Sequence, residues 1–185
     1  MYWDTSEKES RKAEGDRLVK IPLDHICVKS GILCPRCQAL IEEGVVDSYE
    51  VDIMKALIEM EESGVRELRD VEYIKTYMEG NLVVVVLKGK LPPQVLSRIA
   101  RNLSEKFEGR RVKVALKSRD LRQVASQVLY PARILGINTL WLPDGSVQYI
   151  IRVPRSEQRI VREFKGEFEK ILSKIMGSVV EIRFE

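Results

Sequence analysis

The feature that most constrains this chain is a pattern that runs twice through its C-terminal two thirds. In the first pass, Glu50 to Ser63 sets Ile53, Leu57 and Met60 on one helical face, and Gly64 supplies the stop. Two strand-like segments follow, Leu68 to Tyr77 and Asn81 to Leu87, joined through Glu79-Gly80-Asn81. Val83 to Val86 is β-branched on both faces, which suits a central strand covered on one side by helices. Pro92 and Pro93 open a helix whose stripe is Val95, Ile99, Leu103 and Phe107, and Gly109 ends it. Arg111 to Lys117 then alternates, with Val112, Val114 and Leu116 inward and Lys113 and Lys117 outward.

The second pass has the same grammar. Asp120 to Ala132 spaces Leu121, Val124, Ala125 and Val128 as a helix. Strands over Leu135 to Leu142 and Val147 to Val153 flank Pro143-Asp144-Gly145, where Pro fixes φ and Gly takes the left-handed position. Arg155 to Met176 reads as a helix or helix pair through Ile160, Phe164, Phe168, Ile171 and Ile175, capped by Gly177, and Ser178 to Phe184 as a closing strand. Ile74 maps to Ile137, Leu82 to Val147 and Val112 to Val179, an offset of about 63–67 residues that fits one small supersecondary unit. The expectation is an α+β fold, made twice.

Composition supports a folded body. Of 185 residues, 44% are hydrophobic and 32% charged, enough apolar content for a core and too much for wholesale disorder. The longest apolar run, Leu82 to Leu87, is far short of a bilayer span, so no membrane partner is expected. The N-terminal residues lack the apolar stretch of a signal peptide, and three cysteines cannot pair completely; both point to a reducing, cytoplasmic setting. A single His, with no nucleophile elbow, Walker loop or dinucleotide fingerprint, argues against an enzyme and against a small-molecule substrate. Adjacent acids such as Glu61 and Glu62 are expected to face solvent.

Charge is distributed unevenly. Residues 1–79 hold 11 basic and 18 acidic groups, a balance of −7, whereas residues 88–122 hold 11 against 3, a balance of +8. An excess of that kind attracts a polyanion by releasing counterions from its phosphates. A solvated helix and strand face is the plainer reading of the same residues. Trp141 and Tyr149 would either stack on bases or, as the preferred reading, pack in the core or hairpin.

Cys34-Pro35-Arg36-Cys37 is the sharpest local motif. Two thiolates at that spacing chelate one Zn²⁺, and Cys27 and His25 lie upstream as further ligands, facing the same way if that segment is a strand. One structural Zn²⁺ held by Cys27, Cys34, Cys37 and His25 is the preferred reading; buried thiols and a dithiol redox pair are the alternatives. Zinc would organise residues 20–48, a segment too short to build a core by itself.

Residues 66–185 resemble tandem type II KH domains of archaeal NusA-like transcription elongation and termination factors. The likeness rests on Arg111-Val-Lys-Val-Ala115, then Ser118-Arg119-Asp120, Val128-Leu129-Tyr130-Pro131-Ala132-Arg133 and Gly136-Ile137-Asn138, in that order. It implies two KH-like domains (49–117 and 118–185); before them the residues themselves read as a solvated, mobile tail (1–19) and a cysteine-containing module (20–48). The likeness also implies binding of single-stranded RNA within the transcription machinery, with RNA polymerase as a protein partner. KH domains clamp the nucleic-acid backbone with a Gly-x-x-Gly loop. Here the second copy has Glu163-Phe164-Lys165-Gly166, keeping one Gly, and the first has Ser97-Arg98-Ile99-Ala100 at that place. RNA contact then falls to Arg98, Arg101, Arg110, Arg111 and Lys113, and to Arg152, Arg155, Arg159, Arg162, Lys165 and Gly166. The damaged loops equally suit a protein-interaction scaffold in which degenerate KH folds dock on RNA polymerase or another complex.

Overall fold

Two three-stranded sheets of the same design carry the chain from Glu72 to Phe184. The computed structural model describes residues 18–107 and 109–185. The expected mobile tail lies outside them for residues 1–17, and Val19 at its end is buried. The chain divides into two compact units, one ending at Tyr73 and the other running from Ile74 to Glu185.

In the first unit, α1 (His25–Ser30), α2 (Pro35–Glu42) and α3 (Ser48–Glu62) follow one another. Each start is legible: Asp24 caps α1, Pro35 begins α2, and Asp47 with Glu50 forms a capping box on α3. A 3₁₀ turn over Arg66–Asp70 and α1 both pack on α3, which buries Ile53, Met54, Leu57 and Ile58. That turn replaces the first residues of the expected strand at Leu68, and β1 begins only at Glu72. Glu61 also departs from expectation. It is buried and accepts the Val19 N–H at 2.9 Å, while Glu62 pairs with Lys29 at the surface. Glu50 is buried as well and accepts the Tyr73 hydroxyl at 2.5 Å.

The first sheet holds β1 (Glu72–Glu79), β2 (Leu82–Lys88) and β3 (Arg111–Leu116) in the order β1-β2-β3. Gly80 and Asn81 alone join β1 to β2, so the chain must reverse there, and Gly80 supplies the positive φ of 52°. β2 and β3 run parallel, connected by α4 (Pro93–Lys106). The second sheet repeats this with β4 (Gly136–Trp141) antiparallel to β5 (Val147–Val153) and β5 parallel to β6 (Val179–Phe184). Its crossover is longer: a 3₁₀ turn (Arg155–Glu157), α6 (Gln158–Val161), a second 3₁₀ turn (Arg162–Phe164) and α7 (Lys165–Met176). Of the helix or helix pair expected over Arg155–Met176, the chain forms the pair, broken at Arg162–Phe164.

One core serves both sheets. Leu82, Val84, Val86 and Ala115 meet Ile151, Val153, Val180 and Ile182, with Phe168, Ile171 and Leu172 of α7 and Val124, Val128 and Leu129 of α5 (Leu121–Leu129). The opposite face of β3 takes α4, which buries Leu96, Ile99 and Leu103. The β2 run is thus covered on both faces, which is why its apolar residues show no alternation.

Candidate nucleic-acid interface and metal centre

The break between α6 and α7 meets a cation of the first half. Its residue Phe164 lies under the Arg111 guanidinium, 5.2 Å from the ring centroid. Arg111 opens β3 and Phe164 ends the turn before α7, so the parallel crossovers set these elements side by side. Arg162, on the same turn, is exposed. Lys165 begins α7, pairs with Glu169 at 3.4 Å and sits 6.0 Å from the Phe184 ring centroid. Gly166 follows in the first turn of α7, exposed, and a Cβ built there meets nothing within 4 Å. No side chain caps this helix start, and the preceding 3₁₀ turn takes its first N–H, that of Lys165, on the Arg162 carbonyl.

The other candidates are placed differently. Lys113 is half-buried and donates to the Tyr130 carbonyl; burial, and secondarily the charge of Arg111, push its ammonium down to about 8. Arg98 and Arg101 are exposed on α4, and Arg110 is exposed just before β3. Ser97-Arg98-Ile99-Ala100 lies in the middle of α4, so the first half has no inter-helix loop at that place. Arg155 and Arg159 are exposed. Arg152 pairs with Glu185 at 3.4 Å and lies so close to Gly136 that a Cβ there would come within 2.7 Å of its Nη2. Trp141 is 77% exposed at the β4–β5 hairpin beside exposed Leu140 and Leu142, contrary to the core reading, whereas Tyr149 packs against the core.

In the first unit the sulfurs of Cys27, Cys34 and Cys37 lie within 4.8 Å of one another. α1 and α2 bring them together: Cys27 is on α1, Cys34 is the N-cap of α2, and Cys37 is on its first turn. Backbone donors point at the sulfurs, with Asp24 N–H to Cys37 Sγ and Cys34 N–H to Cys27 Sγ, each at 3.3 Å. Hydrogen bonds from Cys37, led by its backbone N–H, lower the Cys34 thiol, and burial pushes Cys37 up. Three sulfurs around one tetrahedral zinc at about 2.3 Å would stand about 3.8 Å apart, so the donor set fits a single ion. His25 is not among the clustered ligand atoms. It shares α1 with Cys27, where two residues are about 200° apart, and a strand would have aligned them. Its Nδ1 is buried without a hydrogen-bond partner among the described residues.

Sequence reasoning missed both helices of the cysteine module, because their apolar periodicity spans barely two turns each. No helix among the described residues is long and apolar enough to cross a membrane. No family model matches the sequence. No curated protein matches it either. Among solved structures, the crystal structure of APE1850 is similar at 22% identity, with a TM-score of 0.45, over 61% of this chain and 88% of that one.

Proposed function

We propose that this chain is an RNA-binding accessory factor of transcription, in which two KH-like folds take single-stranded RNA without chemistry. The observation that carries the reading is the Arg111–Phe164 stack, which joins the basic stretch of the first half to the start of α7. Arg111, Arg162 and Lys165 would neutralise phosphates there, and Phe164 offers a ring edge to a base. In the N-terminal unit, one structural Zn²⁺ on Cys27, Cys34 and Cys37 would hold α1 against α2. His25 is the chain's own candidate for the fourth position, its Nδ1 being buried and unpartnered among the described residues. A salt series tests the RNA reading. Affinity for a labelled oligouridine should fall linearly with log salt, by about 0.7 per phosphate neutralised. Absence of binding even at about 25 mM salt would overturn the reading.

A second reading has its own support. Leu140, Trp141 and Leu142 form an exposed apolar hairpin tip, which suits a protein-docking scaffold, with RNA polymerase as the partner. Substituting Trp141 would then weaken polymerase capture and leave RNA affinity unchanged.

A further inference from the structure

The two halves close their outer strands differently. In a parallel ladder, alternate residues turn their N–H and C=O groups toward the neighbouring strand and away from it. Arg111 N–H bonds to Asn81 O and Lys117 N–H to Leu87 O, both at 2.7 Å, so Val112, Val114 and Leu116 turn theirs to the open side of β3. The same parity leaves Val180 and Ile182 facing out from β6.

In β6 the outward N–H groups of Val180 and Ile182 are taken by α7: Ser173 Oγ accepts from Val180 at 2.9 Å and Glu169 Oε1 accepts from Ile182 at 2.8 Å. In β3 the first is taken in the same manner, Ser104 Oγ accepting from Val112 at 3.3 Å. Ser104 and Ser173 correspond closely, each also donating to the carbonyl four residues earlier, Ala100 O and Glu169 O. One turn before Ser104, then, Ala100 stands where the second half has Glu169, and alanine has no acceptor. Gln127 Oε1 takes the Leu116 N–H at 2.7 Å, beyond the gap. Between the two caps, Val114 borders a groove of about 370 Å³ lined by Pro93, Leu96, Ala100, Val112 and Tyr130.

We propose that this groove is a docking site for an acidic segment of a partner protein. A Glu or Asp carboxylate of the partner accepts the Val114 N–H as Glu169 accepts that of Ile182, and its apolar neighbours rest on Pro93, Leu96 and Tyr130. The molecule itself shows the matching chemistry, a carboxylate oxygen on the outward N–H of the closing strand. Charge is complementary: Lys113 lines the groove, no Asp or Glu among the described residues does, and Arg98 and Arg101 are exposed on α4. With Val112 and Leu116 already capped, the strand edge has room for one acceptor, which points to a short motif rather than a full added strand. This inference stands apart from RNA binding.

The test is a titration of the full ¹⁵N-labelled chain with a capped pentapeptide carrying one central glutamate between valines and leucines, beside its glutamine counterpart. The expected result is a downfield shift of the Val114 amide and about tenfold tighter binding of the glutamate form. Ala100→Glu, which rebuilds the internal cap, should abolish the shift and weaken binding about tenfold or more while the other amides keep their positions. The Val114 readout in the unmodified chain decides the matter even if that variant fails to fold. A Val114 amide that stays still in the peptide titration, or that moves only with oligouridine, would overturn the proposal.

Discussion

At Gly166 two demands on one residue can be separated. The backbone there is helical and a Cβ would meet nothing within 4 Å, so the fold does not require glycine at this position. Gly166→Ala should stabilise the chain by about 0.5–1 kcal/mol, since glycine in a helix loses more conformational freedom on folding. If phosphates approach the start of α7, the added methyl should weaken RNA binding in the same variant. Thermal melts and anisotropy titrations moving in opposite directions support the interface; a stabilised variant with unchanged RNA affinity would place the RNA elsewhere. Lys113 makes a second residue-scale case. Its folded value of about 8 lies below the ordinary 10.5, so the unfolded chain holds the extra proton between them. The destabilisation is therefore present in full below pH 8, and stability should rise as pH climbs from about 8 to 10.5, by about 1–2 kcal/mol after allowing for solvent screening. Lys113→Met keeps the stem's packing and should abolish that rise, which denaturant melts across the range would register. An unchanged slope would mean the ammonium is better solvated than its position implies.

At the scale of elements, strand closure depends on side chains that periodicity does not reveal. Ser173 and Glu169 read as ordinary polar positions of an amphipathic helix, yet they satisfy successive N–H groups of β6. Glu169→Ala should cost about 1–3 kcal/mol by leaving the Ile182 N–H without its acceptor, whereas Glu169→Gln, which keeps an oxygen there, should cost less. Equal losses in chemical denaturation would show that the Lys165 pairing, not the cap, is what matters. In the cysteine module, the Cys34–Cys37 pair was legible because its spacing suits chelation of one ion, whereas the helix that Pro35 begins was not. Nor was the helical state of residues 25–30, since six residues carry little pattern, and that error is what made His25 and Cys27 look aligned. Chelation of a bound zinc should melt α1 and α2 and lower far-UV helicity, and Cys37→Ser should do the same without chelator. A spectrum indifferent to both would contradict a structural ion. Periodicity alone hid the 3₁₀ break at Arg162–Phe164, because Ile160, Phe164 and Phe168 keep helical spacing across it; the match of Glu163–Gly166 to an inter-helix loop is what marked the place.

Over the whole molecule, the duplicated order of strands was readable because each sheet pairs a tight antiparallel turn with a parallel crossover, and both have strong local signals. The register was nearly so: the matching serine caps align Val112 with Val180, one residue beyond the correspondence drawn from hydrophobicity alone. Which arginines converge was not readable, because convergence depends on how the two sheets share their core. The structure joins Arg111 to Phe164 and ties Arg152 to Glu185, two fates for residues that look alike in the sequence. The most direct test of a cationic seam that receives RNA is photocrosslinking of the full chain to oligouridine carrying 4-thiouridine, with the adducts mapped by mass spectrometry. The account predicts adducts on the peptides holding Arg111 and Phe164–Gly166, lost in Arg111→Ala. Adducts confined to other surfaces, or none at low salt, would contradict it.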